Sequence, residues 1–192
     1  TLPADYFFLK KLVIAGLKHL LVAGTCFEYG LQSGCLHEEQ TPNPVTPYGL
    51  AKDSLRRYLQ AIQQLYPFCL QWPRLFFMYG DGQHYNSLLP QLDRAIDNGD
   101  PVFNMSGGEQ LRDYMPVEEA ASCLVKLVET PTFDGIVNVC SGTPISVRRL
   151  VEEHTASRNA SIKLNLGYYP YLDYEPMAFW GDNRKLMRVT NN

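Results

Sequence analysis

"PVTPYGLAKDSLRRYL", residues 44–59, decides how the chain is read. Thr46 is a good helix N-cap and Pro47 suits the first helical position, so a helix is predicted from about Pro47 to Tyr66. Tyr48 and Lys52 then stand about one turn apart on a shared face. Leu55, Leu59 and Ile62 continue that stripe, so the spacing predicts that this face is buried and that Lys52 points inward. A free phenol, with a pKa of about 10, is a poor proton donor or acceptor at neutral pH, but a neighbouring ammonium favours the phenolate and lowers that value. Such a pair can do general acid/base work. The same spacing also describes an aromatic packing beside a snorkelling lysine, so the motif needs support from its surroundings.

Upstream, "PADYFFLKKLVIAG" (3–16) carries apolar residues at helical spacing and "HLLVAGT" (19–25) reads as a buried strand. "EEQTPNPVTP" (38–47) is a proline-rich loop. Downstream, "FCLQWPRLFFMYG" (68–80) reads as a short strand broken or bordered by Pro73, and "GDGQ" as a turn. Helices are predicted over 86–99 and 116–129, with brief strands over 101–105 and 135–140 and a turn at "SGGEQLRD" (106–113). Ser146 caps a further helix, "VRRLVEEH". The aromatic and proline-rich stretch 166–189 lacks periodicity and receives no elements. Helices alternating with short buried strands predict an α/β fold with a mostly parallel sheet.

The 192 residues, 45% of them hydrophobic, suffice for one core or two small lobes. A formal charge of -3 gives no footprint for nucleic acid or an anionic membrane surface. No apolar run reaches the roughly 18 residues that span a bilayer, and no secretion signal is evident, so a cytoplasmic protein is expected. Five cysteines, odd in number and without CxxC spacing, read as reduced thiols. The four histidines are scattered, and no metal site is expected.

Thr25 lies just beyond a predicted buried strand, where ligands of open α/β sheets gather, and the Tyr48 helix follows one loop later. Four ordered stretches, "VAGTCFEYG" (22–30), "PYGLAK" (47–52), "PRLFFMYGDGQ" (73–83) and "GGEQLRDYMPVEEAA" (107–121), resemble the extended short-chain dehydrogenase/reductase family, in its branch of nucleotide-sugar epimerases, dehydratases and ketoreductases. The resemblance implies a partial Rossmann-like parallel sheet flanked by helices, with a smaller C-terminal substrate-binding lobe. Residues 1–80, rejoined by 112–140, would form the later half of the cofactor-binding unit, and 81–111 with 141–192 the substrate lobe. It implies NAD or NADP as cofactor and a nucleoside-diphosphate sugar as partner. It also implies a homodimer through the Tyr48 helix.

By the same resemblance Tyr48 is the catalytic acid/base, Lys52 holds the nicotinamide ribose and Thr25 binds the substrate oxygen. Leu75 and Phe76 line the nicotinamide pocket. Cys26, Phe27, Phe77, Ser87 and Leu88 fall on the substrate side, and Arg112 pairs with the diphosphate, which suits its planar fork of donors. The alternative for Arg112 is a surface arginine beside Asp113.

Three departures refine this. The glycine-rich dinucleotide turn is absent, as expected of the later portion of a longer protein. Cys26 and Phe27 replace the Asp-Glu of the 4,6-dehydratases, and Glu28 comes one place late, which disfavours elimination of water. Phe77 replaces the usual asparagine, and no clear arginine precedes "GDNRKL". What is expected is a 4-epimerase or a 4-ketoreductase. The alternatives are a reductase of a small non-nucleotide carbonyl on the same fold and a non-catalytic cofactor-binding subunit.

Overall fold

The computed structural model describes residues 2–190. In chain order it contains α1 (Leu2–Ile14), β1 (His19–Leu21), β2 (Gly24–Thr25), a 3-10 turn (Cys26–Tyr29), β3 (Gly34–Leu36), α2 (Pro47–Gln63), β4 (Cys69–Leu75) and β5 (Phe77–Tyr79). There follow α3 (Leu88–Asp97), β6 (Val102–Asn104), β7 (Leu111–Pro116), α4 (Val117–Val128), β8 (Gly135–Val139), β9 (Pro144–Ser146), α5 (Val147–Ser157), β10 (Lys163–Asn165), β11 (Phe179–Gly181) and α6 (Arg184–Thr190).

The principal sheet is parallel throughout, with β4 at its centre, β1 and β2 on one side and β8 on the other. The sequence expectation that Pro73 breaks or borders β4 is corrected: the strand runs through it, with Pro73 opposite Val137. The N–H of Cys69 goes to Lys18 O on the β1 side, and that of Phe76 to Val139 O on the β8 side. Alternation therefore turns the donor that Pro73 lacks toward β1 and β2. The register is the same on either side of Val22 and Ala23, and Val22 N–H still donates to Gln71 O at 3.0 Å, so the strand absorbs Pro73 as one missing ladder bond.

Thr46 accepts the Gly49 N–H at 3.1 Å and Pro47 opens α2, as capping chemistry predicts. The helix lays Leu55, Leu59 and Ile62 onto the sheet in a core with Val13, Leu70 and Trp72. On the opposite flank α4 and α6 cover β8 through Leu127, Val137, Val139 and Leu186. Helices on both flanks are what a parallel sheet requires.

A second body of core joins Leu89 and Leu92 of α3, Phe103 of β6, Met105 just after that strand, and Leu150 and Val151 of α5. It is tied to the principal sheet by a small sheet in which β7 pairs parallel with β5 and antiparallel with β9. Two expectations are corrected here. Leu111–Asp113, read as a turn, belong to β7, and the stretch left without elements contains β11 and α6. Both are short segments whose partners lie far away in sequence: β11 pairs with β3, and Asp113 accepts N–H groups from Ser141, Gly142 and Gly181. Local periodicity carries no trace of such pairings.

Candidate active site

Thr25 ends β2 and caps the 3-10 turn that follows. Its hydroxyl oxygen accepts the Phe27 N–H at 3.3 Å, while its own N–H donates to Glu28 Oε1 at 2.9 Å. The first turn of α2 is pressed against this turn at Gly49, where an added Cβ would stand 2.5 Å from the Phe27 carbonyl oxygen. Only a residue without a side chain allows that approach.

The approach brings Tyr48 beside Thr25, whose hydroxyl is near enough to favour the phenolate. The ammonium of Lys52 lies 5.9 Å from the Tyr48 ring centre and donates to the carbonyl of Ala23 at 2.9 Å. Two expectations are corrected. The Tyr48 face of α2 is not wholly buried: Lys52 is half-buried, and Tyr48, 54% exposed at the helix mouth, lies beyond the line of Leu55, Leu59 and Ile62. Nor is the phenol's pKa lowered, because partial burial pushes it above its ordinary value, the Thr25 hydroxyl opposing and the charge of Glu28 adding. Lys52 does not reverse this, since its ammonium is directed to the Ala23 carbonyl.

Phe27 stands between Tyr48 and Phe77, with ring centres 6.3 and 5.9 Å away. Phe77 continues the wall to Tyr114 and Phe179 at 5.5 and 5.8 Å. Arg112 is no surface arginine: it is 3% exposed, stacked 4.7 Å over Phe179, and its Nη2 donates to Glu175 at 2.9 Å. Cys26 is enclosed beside it, its thiol pushed up to about 12 chiefly by burial, with the Glu175 charge adding.

Thr25, Cys26, Phe27, Tyr48, Lys52, Phe77 and Arg112 thus form one run of neighbouring side chains. Leu75 packs in a separate cluster with Val137 and Val139, whereas Phe76 packs with Tyr29 and Phe179 in the cluster that also holds Cys26 and against which Phe27 and Phe77 lie. Ser87 caps α3 without a side-chain hydrogen bond. Leu88 lines a separate hollow of about 260 Å³ with Phe103, Asn104 and Tyr169, and Gln110 joins that hollow to Arg112.

Sequence reasoning missed Glu28 and Glu175. The signal for Glu28 was present, since Thr25 followed three places later by Glu28 has the spacing of a capping box. Glu175 lies in an aperiodic stretch and had no such signal.

Residues 8–140 match the NAD dependent epimerase/dehydratase family. The chain belongs to that family. It is 33% identical over 177 residues, 92% of its length, to dTDP-6-deoxy-L-talose 4-dehydrogenase (NAD(+)) from Aggregatibacter actinomycetemcomitans, and covers 65% of that protein. It is 24% identical over 176 residues, 90% of its length, to GDP-6-deoxy-D-talose 4-dehydrogenase from the same organism, covering 58% of it. The structure of a UDP-N-acetylglucosamine 4-epimerase from Methanobrevibacter ruminantium M1, in complex with UDP-N-acetylmuramic acid, superposes with a TM-score of 0.89 at 24% identity. That match takes in 98% of this chain and 61% of the other. The chain therefore spans about three fifths of the length of these relatives. The family's α/β fold, a parallel sheet flanked by helices, is the one observed here.

The residues present suit the family's nicotinamide cofactor. An ammonium has three donors, and Lys52 spends one on Ala23 O, so hydroxyl groups of a ligand beside Tyr48 could be met by the other two. Among the described residues, no three His, Cys, Asp or Glu side chains converge on a metal position. No helix among them is long and apolar enough to cross a membrane.

Proposed function

We propose that this chain is the catalytic and substrate-facing portion of an NAD-dependent enzyme acting at C4 of a nucleoside-diphosphate 6-deoxyhexose, interconverting the 4-hydroxyl and the 4-ketone. The observation that carries the reading is that Thr25 and Lys52 both neighbour Tyr48 where α2 meets the end of β2. The nicotinamide, when bound, supplies or takes the hydride. Tyr48 Oη passes a proton to the C4 oxygen during reduction and takes one from it during oxidation. The Thr25 hydroxyl holds that oxygen, and Lys52 orients the ribose.

Partial burial keeps the phenol protonated at neutral pH, so the site is set to donate a proton to a ketone. The 6-deoxy class is favoured by Phe27 beside Tyr48, with Phe77 behind it, an apolar wall suited to a methyl group at C6. A polar C6 hydroxymethyl would find no partner in those rings. The relative with 33% identity, named for a dTDP-6-deoxy sugar and NAD(+), points the same way. A diphosphate at Arg112 would take the place that Glu175 holds, and the hollow reached past Gln110 would seat the nucleotide end. The division into a cofactor unit (1–80 and 112–140) and a substrate lobe (81–111 and 141–192) follows from the same reading.

We also infer a homodimer, since α1 and α2 leave Phe7, Phe8 and Tyr58 more than half exposed. A cytoplasmic setting fits five cysteines that form no disulfide.

Tyr48→Phe in the full-length protein tests the reading. With dTDP-6-deoxy-L-talose and NAD+, turnover is expected to fall at least a hundredfold while NAD+ affinity stays within about twofold. Unchanged turnover in that variant would refute the role of the phenol. Wild-type activity confined to small apolar ketones would transfer the site to another substrate class.

A further inference from the structure

Glu28 is fully enclosed, and both of its oxygens are committed. Oε1 accepts the Thr25 N–H and the Trp72 Nε1–H, each at 2.9 Å. Oε2 accepts Arg74 Nε at 2.9 Å and faces Arg56 Nε at 3.7 Å. Arg56 lies one turn beyond Lys52 on α2, where it is paired with Asp53 and bonded to Gln60. Arg74 lies 4.4 Å over the ring of Tyr29, whose hydroxyl donates to Asn138. Two carboxylates, Glu28 and Asp53, thus answer two buried guanidiniums, Arg56 and Arg74.

Stability alone does not account for such a cluster, because well-packed apolar side chains of the same volume are often as stable or more so. What apolar residues lack is an acceptor aimed at the Thr25 amide. Gly24 serves the same contact, since a Cβ there would stand 2.2 Å from Trp72 Nε1 and 2.6 Å from Glu28 Oε1. We propose that Glu28 is a positioning residue: it clamps the Thr25 backbone and, through Arg56, the helix that carries Tyr48 and Lys52, so that hydroxyl, phenol and ammonium keep one geometry. This rests on the catalytic reading of Thr25 and Tyr48 given above.

Among the described residues neither Nη of Arg74 has a hydrogen-bond partner, so removing Glu28 alone would strand a buried charge. The test therefore uses charge-balanced pairs in the full-length protein, assayed with dTDP-6-deoxy-L-talose and NAD+. Glu28→Gln/Arg74→Met retains a carbonyl oxygen for the Thr25 N–H, whereas Glu28→Leu/Arg74→Met removes it at nearly the same size. The first variant is expected to keep kcat within about threefold of wild type. The second is expected to fold but to lose at least tenfold in kcat with KM for NAD+ unchanged, and that loss should be smaller in a Thr25→Ala background. Equal activity of the two pairs, or a loss that adds in full to that of Thr25→Ala, would overturn the proposal.

Two further measurements keep it decidable. In the unmodified protein the Thr25 amide should exchange with solvent as slowly as the core of β4, and fast exchange would overturn the clamp even if the Leu variant fails to fold. Full turnover in Thr25→Ala and Tyr48→Phe would instead remove the catalytic reading, while the exchange rate would still report whether Glu28 holds Thr25.

Discussion

At Tyr48 two influences compete, and the structure decides between them. Desolvation disfavours the phenolate, and the nearest cation is turned to a backbone carbonyl, so the phenol sits above its usual value of about 10. A bound oxidised nicotinamide adds a positive charge that acts in the opposite direction. Ultraviolet difference titration of wild type against Tyr48→Phe should therefore give a pKa above 10 without cofactor and a lower one with NAD+. A value below 9 in the cofactor-free protein would show that Lys52 alone governs the phenol. The pairing of Tyr48 with Lys52 was legible in the sequence because one turn of helix guarantees a shared face. The direction of the pKa shift was not, because it is set by how far tertiary packing buries the phenol.

At the scale of elements, the site is set by how α2 meets the 3-10 turn after β2. In an unconstrained helix Gly→Ala stabilises by about 1 kcal/mol. At Gly49 the added methyl would meet the Phe27 carbonyl at 2.5 Å and Pro44 Cβ at 3.2 Å, and a backbone carbonyl cannot step aside as a flexible side chain can. Overpacking of this kind costs about 1–3 kcal/mol, so the sign reverses. Gly49→Ala is expected to lower the urea midpoint and, by tilting the first turn of α2 away from Thr25, to reduce kcat more than cofactor affinity. A midpoint that stays or rises would show that the contact is loose. The helix start at Thr46 and Pro47 was readable from capping chemistry, but the closeness of Phe27 was not, since it joins segments separated by a proline-rich loop.

At the scale of the whole molecule, burial pushes the phenols of Tyr29 and Tyr114 up to about 12. Below about pH 10 both the folded and the unfolded chains keep these protons, and their contribution to stability is fully present. Between about 10 and 12 the unfolded chain ionises first, and stability is lost as pH rises. Denaturant melts should therefore weaken across that window, and Tyr114→Phe should flatten the slope there while changing little at pH 7. An identical slope in the variant would place the alkaline transition elsewhere. Assembly belongs to this scale too. Phe7 and Phe8 are 60% and 62% exposed on α1, which packs on α2 through Tyr6 and Tyr58 at 5.1 Å. Sedimentation of the full-length protein is expected to show a dimer and of Phe8→Glu a shift toward monomer; a monomeric wild type would remove the dimer.

The sequence by itself determined the alternation of helices and strands, the cap and register of α2, and the shared face of Tyr48 and Lys52. These follow from periods and caps that act within a turn or two of the chain. Only the tertiary structure decided that β4 passes through Pro73, that the stretch 166–189 closes the molecule with β11 and α6, and that Glu28 and Glu175 stand where they do. The reason is the range of the interaction: an unmade ladder bond, a strand partner more than a hundred residues away, or a carboxylate shared by three segments has no local signature, because its energy exists only once distant chain is brought alongside.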